Sequence, residues 1–250
     1  MRQSHVKLAA PFALALALAA CDSGDKPAEG NSAGTTAGTV PPPAGQDWTE
    51  TVVATEDGGF LMGNPNAKVK LVEYGSMTCP HCAEFATQGV PSMKERYIRT
   101  GQVSLEFRNF VRDGTDTVAS LLARCAGAEP FFKLTEQMYA DQPNWIKKAI
   151  DLPEADRERM SKLPTEDQLP ALAAALGLDQ FMRMRGITND RVKACLNDEA
   201  AVNKLQAINQ KAINQYKING TPGFLINGET VEGVYNWETL EPRIQDALGA

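Results

Sequence analysis

Residues 68–82 read KVKLVEYGSMTCPHC, an apolar run followed by two closely spaced cysteines. The run from Val69 to Tyr74 is compact, apolar and partly β-branched, which predicts a central strand. The motif Cys79-Pro80-His81-Cys82 begins five residues after Tyr74. The sequence therefore predicts a strand that leads through a short loop into a Cys-x-x-Cys motif at the start of a helix.

The residues after the motif predict a helix and then a second strand. Pro91 is expected to kink this helix because a proline removes one internal hydrogen bond. Residues 103–108 alternate between apolar and polar side chains and predict the next strand. A strand, a helix and a neighbouring strand form a βαβ unit. The apolar residues that indicate the helix, at roughly helical spacing, are Phe85, Val90, Met93 and Tyr97.

From about residue 114 to residue 214 the pattern is helical throughout, and several prolines divide it into short helices. Phe224 to Ile226, then Asn227-Gly228, then Glu229 to Glu232 predict a β-hairpin, because Asn-Gly suits a type I′ turn. The predicted architecture is an α/β domain with an inserted helical subdomain.

A last helix is predicted from about Thr239 to Leu248. Asn236 is an alternative N-cap one turn earlier, but it would place Pro242 inside the helix. Thr239 is therefore the predicted N-cap.

The Cys-x-x-Cys motif predicts redox chemistry. Cys79 at a helix N-terminus faces unpaired backbone N–H groups, which favour the thiolate. Pro80 suits the first helical turn, and a protonated His81 would add positive charge near the sulfur. Cys82 is expected to be more buried and to act as the resolving thiol. A zinc site is the competing interpretation, but the chain offers no second Cys-x-x-Cys pair and no second histidine after His5 is removed by processing.

The CPHC motif, followed far downstream by Gly220-Thr221-Pro222-Gly223-Phe224, resembles the DsbA-type thiol:disulfide oxidoreductases of the thioredoxin superfamily. The resemblance covers about residues 47–250 and implies a thioredoxin-like fold with no cofactor. It implies that Cys79 attacks, Cys82 resolves and Pro222 is a cis-proline packed against the disulfide. It also implies that Glu73 is the buried acid that relays a proton to or from the resolving thiol.

Thr221 departs from the strongest oxidases of that family, for which the resemblance predicts valine before the cis-proline. Threonine there is similar to disulfide isomerases. From the CPHC motif and the family resemblance we nevertheless expect a dithiol oxidase that oxidises reduced envelope proteins, with reoxidation by a DsbB-type membrane oxidase. The alternatives are a reductase or isomerase kept reduced by a DsbD-type protein and, from another class, a non-catalytic chaperone or binding lipoprotein in which CPHC is only a structural bridge.

The N-terminus carries export signals. Residues 1–20 predict a signal peptide, with Arg2 and Lys7 before a short apolar run. Leu18-Ala19-Ala20-Cys21 resembles a bacterial lipobox and implies a lipid on Cys21 and a membrane anchor facing the periplasm; an ordinary signal peptide is the alternative. Asp22 resembles a signal for retention in the inner membrane. Residues 21–46 are polar and rich in glycine and proline, which predicts a flexible tether.

The predicted domains are thus a thioredoxin-like domain of residues 47–113 and 215–250 and a helical subdomain of residues 114–214. Cys125 and Cys195 lie on predicted helices of the subdomain and are either bridged or two buried thiols. The formal net charge is −6. Such an acidic chain argues against nucleic acid as a partner, and a monomer is expected.

Overall fold

The computed structural model describes residues 38–249. The predicted signal peptide, Cys21 and most of the predicted tether lie outside the described residues. The described end of that tether hydrogen-bonds to the folded body: Val40 N donates to Thr100 O over 2.9 Å, and Val40 O accepts from Trp48 Nε1 over 2.8 Å. The indole N–H of Trp48, which is buried, needs such an acceptor.

The predicted βαβ unit forms the centre of a six-stranded sheet in the order β1-β2-β4-β3-β5-β6. β3 and β4 are parallel, and every other neighbouring pair is antiparallel. The first two strands were not predicted. The strands are β1 (Val52–Ala54), β2 (Phe60–Gly63), β3 (Val69–Gly75), β4 (Val103–Asn109), β5 (Gly223–Ile226) and β6 (Glu229–Val231).

The predicted hairpin is confirmed as β5 and β6. Asn227 has φ 51° and Gly228 has φ 89°, the pair of positive angles that a type I′ turn requires. The hairpin places β5 beside β3, with Phe224 opposite Glu73. The segment that precedes β5, which contains Thr221 and Pro222, is thereby brought to the end of β3 where the Cys-x-x-Cys motif begins.

The helix after the motif is not uniformly α-helical. It consists of α1 (Pro80–Glu84), a π-helical turn at Phe85–Gly89, α2 (Val90–Met93) and a second π-helical turn at Lys94–Ile98. Pro91 lies in the first turn of α2, directly after a π-helical turn. The hydrogen-bond pattern thus changes where proline has no N–H to donate.

The insertion between β4 and β5 is helical, as predicted, and is divided into short helices. Among residues 38–249 no helix has both the length and the apolar composition needed to span a membrane. The inserted helices are α3 (Gly114–Arg124), α4 (Phe131–Ala140), α5 (Gln142–Asp151), α6 (Glu154–Ser161), α7 (Thr165–Leu176), α8 (Leu178–Arg183), α9 (Asn189–Leu196) and α10 (Glu199–Asn214).

The start of the last helix, α11 (Trp237–Leu248), differs from the prediction. Asn236 is its N-cap: Asn236 Oδ1 accepts hydrogen bonds from Thr239 N at 3.0 Å and from Thr239 Oγ1 at 2.7 Å. The prediction of Thr239 as the N-cap was wrong. Pro242 does lie inside the helix, and its missing hydrogen bond is offset by the cap and by the complete burial of Leu240 and Ile244.

The sheet is covered on both faces. Side chains alternate along β3. Leu71 and Glu73 point to the face of the sheet that packs against the helix after the Cys-x-x-Cys motif, in the main core. Val72 and Tyr74 point to the opposite face, where they form a second cluster with Ile208 of α10. Every residue of β4 is buried, including its polar ones. Glu73 is thus a carboxyl group inside the core, on the face that carries the motif.

Candidate active site

The two motif cysteines lie where the backbone turns from the loop after β3 into α1. Cys79 has an extended backbone and is the N-cap residue, and Pro80 occupies the first helical turn. Both cysteines are free thiols. Cys79 retains 3% of its surface exposed and Cys82 none, so the first sulfur is the one nearer to solvent.

Hydrogen bonds lower the pKa of Cys79 to about 5. The largest cause is the thiol of Cys82, which donates to the Cys79 sulfur, followed among the favourable contacts by the hydroxyl of Thr221 and the backbone N–H groups of Cys82 and His81. Burial opposes them. Thr221 also contacts this sulfur through its carbonyl oxygen, which accepts from Cys79 Sγ at 3.3 Å in the thiol form. The donors prevail, so Cys79 is a thiolate at neutral pH.

His81 lies at the surface of the site. Its side chain is 69% exposed, and Nδ1 lies 3.7 Å from Glu84 Oε2. The group of His81 that lowers the pKa of Cys79 is its backbone N–H. The imidazole therefore faces solvent and Glu84, and the N-terminal turn of α1 supplies the stabilising donor.

The segment before β5 forms the other wall of the site. The Thr221–Pro222 peptide bond is cis, and Pro222 is buried. The Phe224 ring packs edge-on against Phe85 of the motif helix, with centroids 5.0 Å apart. β5 is thus held against this helix, and Thr221 is held at the Cys79 sulfur.

Cys82 and Glu73 form the buried part of the site. Burial raises the pKa of Cys82 well above its ordinary value, and the hydrogen bond to Cys79 and the charge of Glu73 act in the same direction. Burial and the negative charge of Cys79 likewise raise the pKa of Glu73. Both groups therefore favour their protonated, neutral forms, whereas Cys79 favours its negatively charged thiolate.

Gly75 makes room for this buried acid. A Cβ atom on Gly75 would overlap the ring of Phe107 and lie 3.0 Å from Glu73 Oε1. The last position of β3 therefore requires glycine because two side chains of the core occupy the space beside it. Sequence reasoning did not identify Gly75.

The helical insertion holds the loop between β3 and α1 through polar side chains that the sequence did not reveal. Gln142, at the start of α5, donates from Nε2 to Met77 O at 2.8 Å and to Cys79 O at 3.0 Å. Tyr139 donates to Ser76 O at 3.1 Å. No local pattern marks Gln142 or Tyr139, because their partners lie more than 60 residues earlier.

Asp116 of α3 also binds the loop between β3 and α1. Its carboxylate accepts from Ser76 Oγ at 2.6 Å, from Met77 N at 2.9 Å and from Arg112 N at 3.1 Å. Burial raises the pKa of Asp116 to about 6, and these hydrogen bonds partly offset the effect. In the sequence Asp116 is simply an acid in the first turn of a helix that Asp113 caps.

Cys125 and Cys195 are joined by a disulfide with a Cα–Cα distance of 5.6 Å. It connects the C-terminal end of α3 to α9 across 70 residues of sequence. Of the two alternatives for this pair, the bridge is the one that the structure contains. Within residues 38–249, no three His, Cys, Asp or Glu side chains are grouped so as to hold a metal ion.

Comparison with known proteins agrees with this geometry. A family model described as thioredoxin matches residues 55–246. The crystal structure of protein-disulfide isomerase from Novosphingobium aromaticivorans is 36% identical in sequence with a TM-score of 0.72, and the match covers 76% of this chain and 97% of that one. The crystal structure of Wolbachia pipientis α-DsbA1 is 23% identical in sequence with a TM-score of 0.59, and the match covers 76% of this chain and 90% of that one. The two proteins share the fold.

A Rickettsia bellii protein that carries the name protein-disulfide oxidoreductase is 28% identical over 193 residues, which are 77% of this chain and 66% of the relative. The chain spans slightly less than two thirds of the length of such Rickettsia proteins. The family model nevertheless covers most of this chain, including the motif, the cis-proline and the insertion between them. The chain therefore belongs to the thioredoxin family, and within it to the proteins with the DsbA-type fold.

Proposed function

We propose that the protein is a thiol:disulfide oxidoreductase that acts as a dithiol oxidase and donates a Cys79–Cys82 disulfide to reduced proteins. The observation that carries this proposal is the position of Cys79 at the N-cap of α1, where the Cys82 thiol and backbone N–H groups of the helix face its sulfur and lower its pKa to about 5. A stabilised thiolate lowers the free energy of the reduced form and is a good leaving group. The disulfide that it forms is consequently a strong oxidant.

The reaction proceeds in two exchanges. A substrate thiolate attacks Cys79 Sγ, the Cys79–Cys82 bond breaks, and the electron pair leaves on Cys82. A second substrate thiolate then attacks the substrate sulfur of the mixed disulfide, and Cys79 leaves as its stable thiolate. The substrate gains one disulfide and the protein gains two electrons.

Glu73 serves the first exchange as a proton donor. Cys82 leaves into a buried site in which its thiolate is disfavoured. Glu73, on the neighbouring strand, holds its proton because burial raises its pKa. Transfer of that proton to Cys82 removes the charge of the leaving thiolate. Thr221 and the cis-proline Pro222 line the opposite side, where the substrate is expected to approach Cys79.

A reductase or isomerase of the same fold is the second candidate. It is favoured by the threonine before the cis-proline, whose hydroxyl and carbonyl both contact the Cys79 sulfur, and by the similarity to a Novosphingobium protein-disulfide isomerase. A non-catalytic chaperone or binding protein is disfavoured, since a structural bridge has no need of a sulfur with a lowered pKa.

The reduction potential of the Cys79–Cys82 pair discriminates between the two candidates. Purified Cys21→Ala protein is equilibrated with glutathione buffers, and the reduced fraction is measured by thiol alkylation and mass spectrometry. A potential near about −120 mV supports the oxidase, whereas one near about −200 mV or lower supports the reductase or isomerase.

A trapping variant tests catalysis itself. In Cys82→Ala the resolving thiol is absent, so a mixed disulfide on Cys79 persists. Non-reducing electrophoresis of cells that express this variant is expected to show Cys79-dependent adducts, and Cys79→Ala with Cys82→Ala is the matched control. Equal patterns for the two variants would count against disulfide exchange.

We also propose that the protein works in the bacterial cell envelope, on the periplasmic side of the inner membrane, through a lipid on Cys21. A DsbB-type oxidase would renew its disulfide, and a DsbD-type protein would supply electrons if it is a reductase. Labelled palmitate should enter the wild-type protein and should not enter Cys21→Ala. Label in both would refute the anchor.

A further inference from the structure

Two buried polar atoms on different elements share one small cavity beside the proposed active site. Glu73 on β3 is 2% exposed and Thr135 on α4 is 4% exposed. Among the described residues, neither Glu73 Oε1 nor Thr135 Oγ1 has a hydrogen-bond partner. Buried polar atoms normally do have one, so this pair requires an explanation.

The cavity has the size of a single water site. Its volume is about 20 Å³, and a buried water molecule needs roughly 10–15 Å³. Apolar side chains form most of its walls, among them Leu105 and Phe107 of β4. A molecule bound there would find its polar partners in the carboxyl of Glu73 and the hydroxyl of Thr135.

The cavity also reaches charged groups at the surface. Lys94 and Glu136 line it, and their side chains are 24% and 47% exposed, with Lys94 Nζ 3.7 Å from Glu136 Oε2. The site therefore extends from the buried carboxyl towards solvent, beneath an ion pair between the motif helix and α4.

We propose that this cavity binds one water molecule held between Glu73 and Thr135, and that this water carries protons between solvent and the Glu73 carboxyl. The inference rests on the proposed function, in which Glu73 protonates the leaving Cys82. Each such transfer leaves a buried Glu73 carboxylate, which a proton delivered by water can neutralise before the Cys82 thiol gives up its own proton on reoxidation. The hydroxyl of Thr135 can accept and donate at once, so Thr135 is a positioning residue that orients the water towards the acid.

The test is a pair of substitutions at one position. Thr135→Val keeps the shape of the side chain and removes the hydroxyl, whereas Thr135→Ser keeps the hydroxyl. The Glu73 carboxyl is titrated by carbon NMR in the oxidised protein, where the two motif cysteines do not titrate. The other ionisable groups that face Glu73 are Tyr139, whose pKa burial raises well above 10, and the pair Lys94 and Glu136.

A hydrogen bond donated through the water favours the carboxylate. We therefore expect the pKa of Glu73 to rise by about one unit in Thr135→Val, the equivalent of one lost hydrogen bond, and to stay unchanged in Thr135→Ser. An unchanged pKa in Thr135→Val would overturn the proposal. An equal rise in both variants would also overturn it, because the shape of the cavity would then be responsible.

A crystal structure of the wild-type protein gives an answer that does not depend on how the variants fold. Density for one water within hydrogen-bond distance of both Glu73 Oε1 and Thr135 Oγ1 is expected, and density without such a water would refute the site. Glu73→Gln separates this inference from the proposed function. If Glu73→Gln leaves the pH dependence of disulfide reduction unchanged, the proposed role of Glu73 as a proton donor is refuted. This result does not depend on whether a water molecule occupies the cavity.

Discussion

Replacing Cys79 by serine should change how the stability of the reduced protein depends on pH. The Cys79 thiol has a pKa of about 5 in the folded protein and an ordinary value of 9.0. Because the folded pKa is depressed, ionisation of Cys79 stabilises the folded state, fully above the ordinary pKa and progressively less as the pH falls towards 5. Serine does not ionise and removes this contribution.

The magnitude follows from the separation between pH 7 and the folded pKa. Each pKa unit corresponds to about 1.4 kcal/mol. At about pH 7 the thiolate thus adds about 2.7 kcal/mol to the free energy of unfolding, and at about pH 4 it adds almost nothing. The difference in unfolding free energy between reduced wild type and reduced Cys79→Ser should grow by that amount over this range.

Guanidinium unfolding of both proteins in the same phosphine reductant measures the difference. Titrating groups remote from Cys79 are common to both proteins, whereas Glu73 and Cys82 are coupled to Cys79 and titrate differently in the variant. Oxidised wild type is the matched control, because its Cys79 has no proton to lose and its pH dependence should follow that of Cys79→Ser. A difference that stays constant within about 0.5 kcal/mol from pH 4 to pH 7 would refute the assignment of a stabilised thiolate to Cys79.

Three further variants probe the residues that support the site and the insertion. Asp116 has a folded pKa raised to about 6 from 3.8, so its contribution to stability falls by about 2.4 kcal/mol as the pH rises from about 4 to about 7, and Asp116→Asn should remove that fall in urea unfolding at the two pH values. Gln142→Leu leaves two buried carbonyls without their donor and should cost about 2 kcal/mol in thermal unfolding. Replacing Cys125 and Cys195 by alanine opens a loop of 70 residues and should cost about 4 kcal/mol, measured with Cys79 and Cys82 oxidised.

The parts of the fold that could be predicted from sequence are those with a strong local pattern. The apolar run of β3 and the Asn227-Gly228 turn each specify their own conformation within a few residues. β1 has only three residues and β2 four. Such strands carry too few positions for a periodic pattern, and they form by pairing with each other and with β4.

The N-terminus of α11 shows where a local rule gave the wrong answer. The rule against interior proline favoured Thr239 as the cap, but one missing hydrogen bond costs less than the added turn contributes. That turn brings Trp237 to the Tyr97 ring, with centroids 6.3 Å apart, and allows Asn236 to cap the helix. Burial in the tertiary structure outweighed the local preference.

The candidate site also contains residues that a local sequence pattern predicts and residues that only the tertiary structure identifies. The two cysteines can be identified from their spacing in the sequence. Asp116, Tyr139 and Gln142 contact the loop at 76–79 only after the insertion has folded onto it, so their contribution could not be predicted. The three side chains bind its backbone at Ser76, Met77 and Cys79. Nothing within a window of sequence connects positions so far apart.

This arrangement allows the insertion to influence the pKa of Cys79 indirectly. The lowered pKa of Cys79 depends on donors at fixed positions around its sulfur, and two of them are backbone N–H groups of α1. Hydrogen bonds of this kind weaken steeply with misalignment, so the loop that presents Cys79 to α1 must be held rigidly. The carbonyl of Cys79 itself is held by Gln142. A substitution in α5 that loosens this contact should therefore raise the pKa of Cys79 and make the disulfide a weaker oxidant, although Gln142 bonds to the carbonyl of Cys79 rather than to its sulfur.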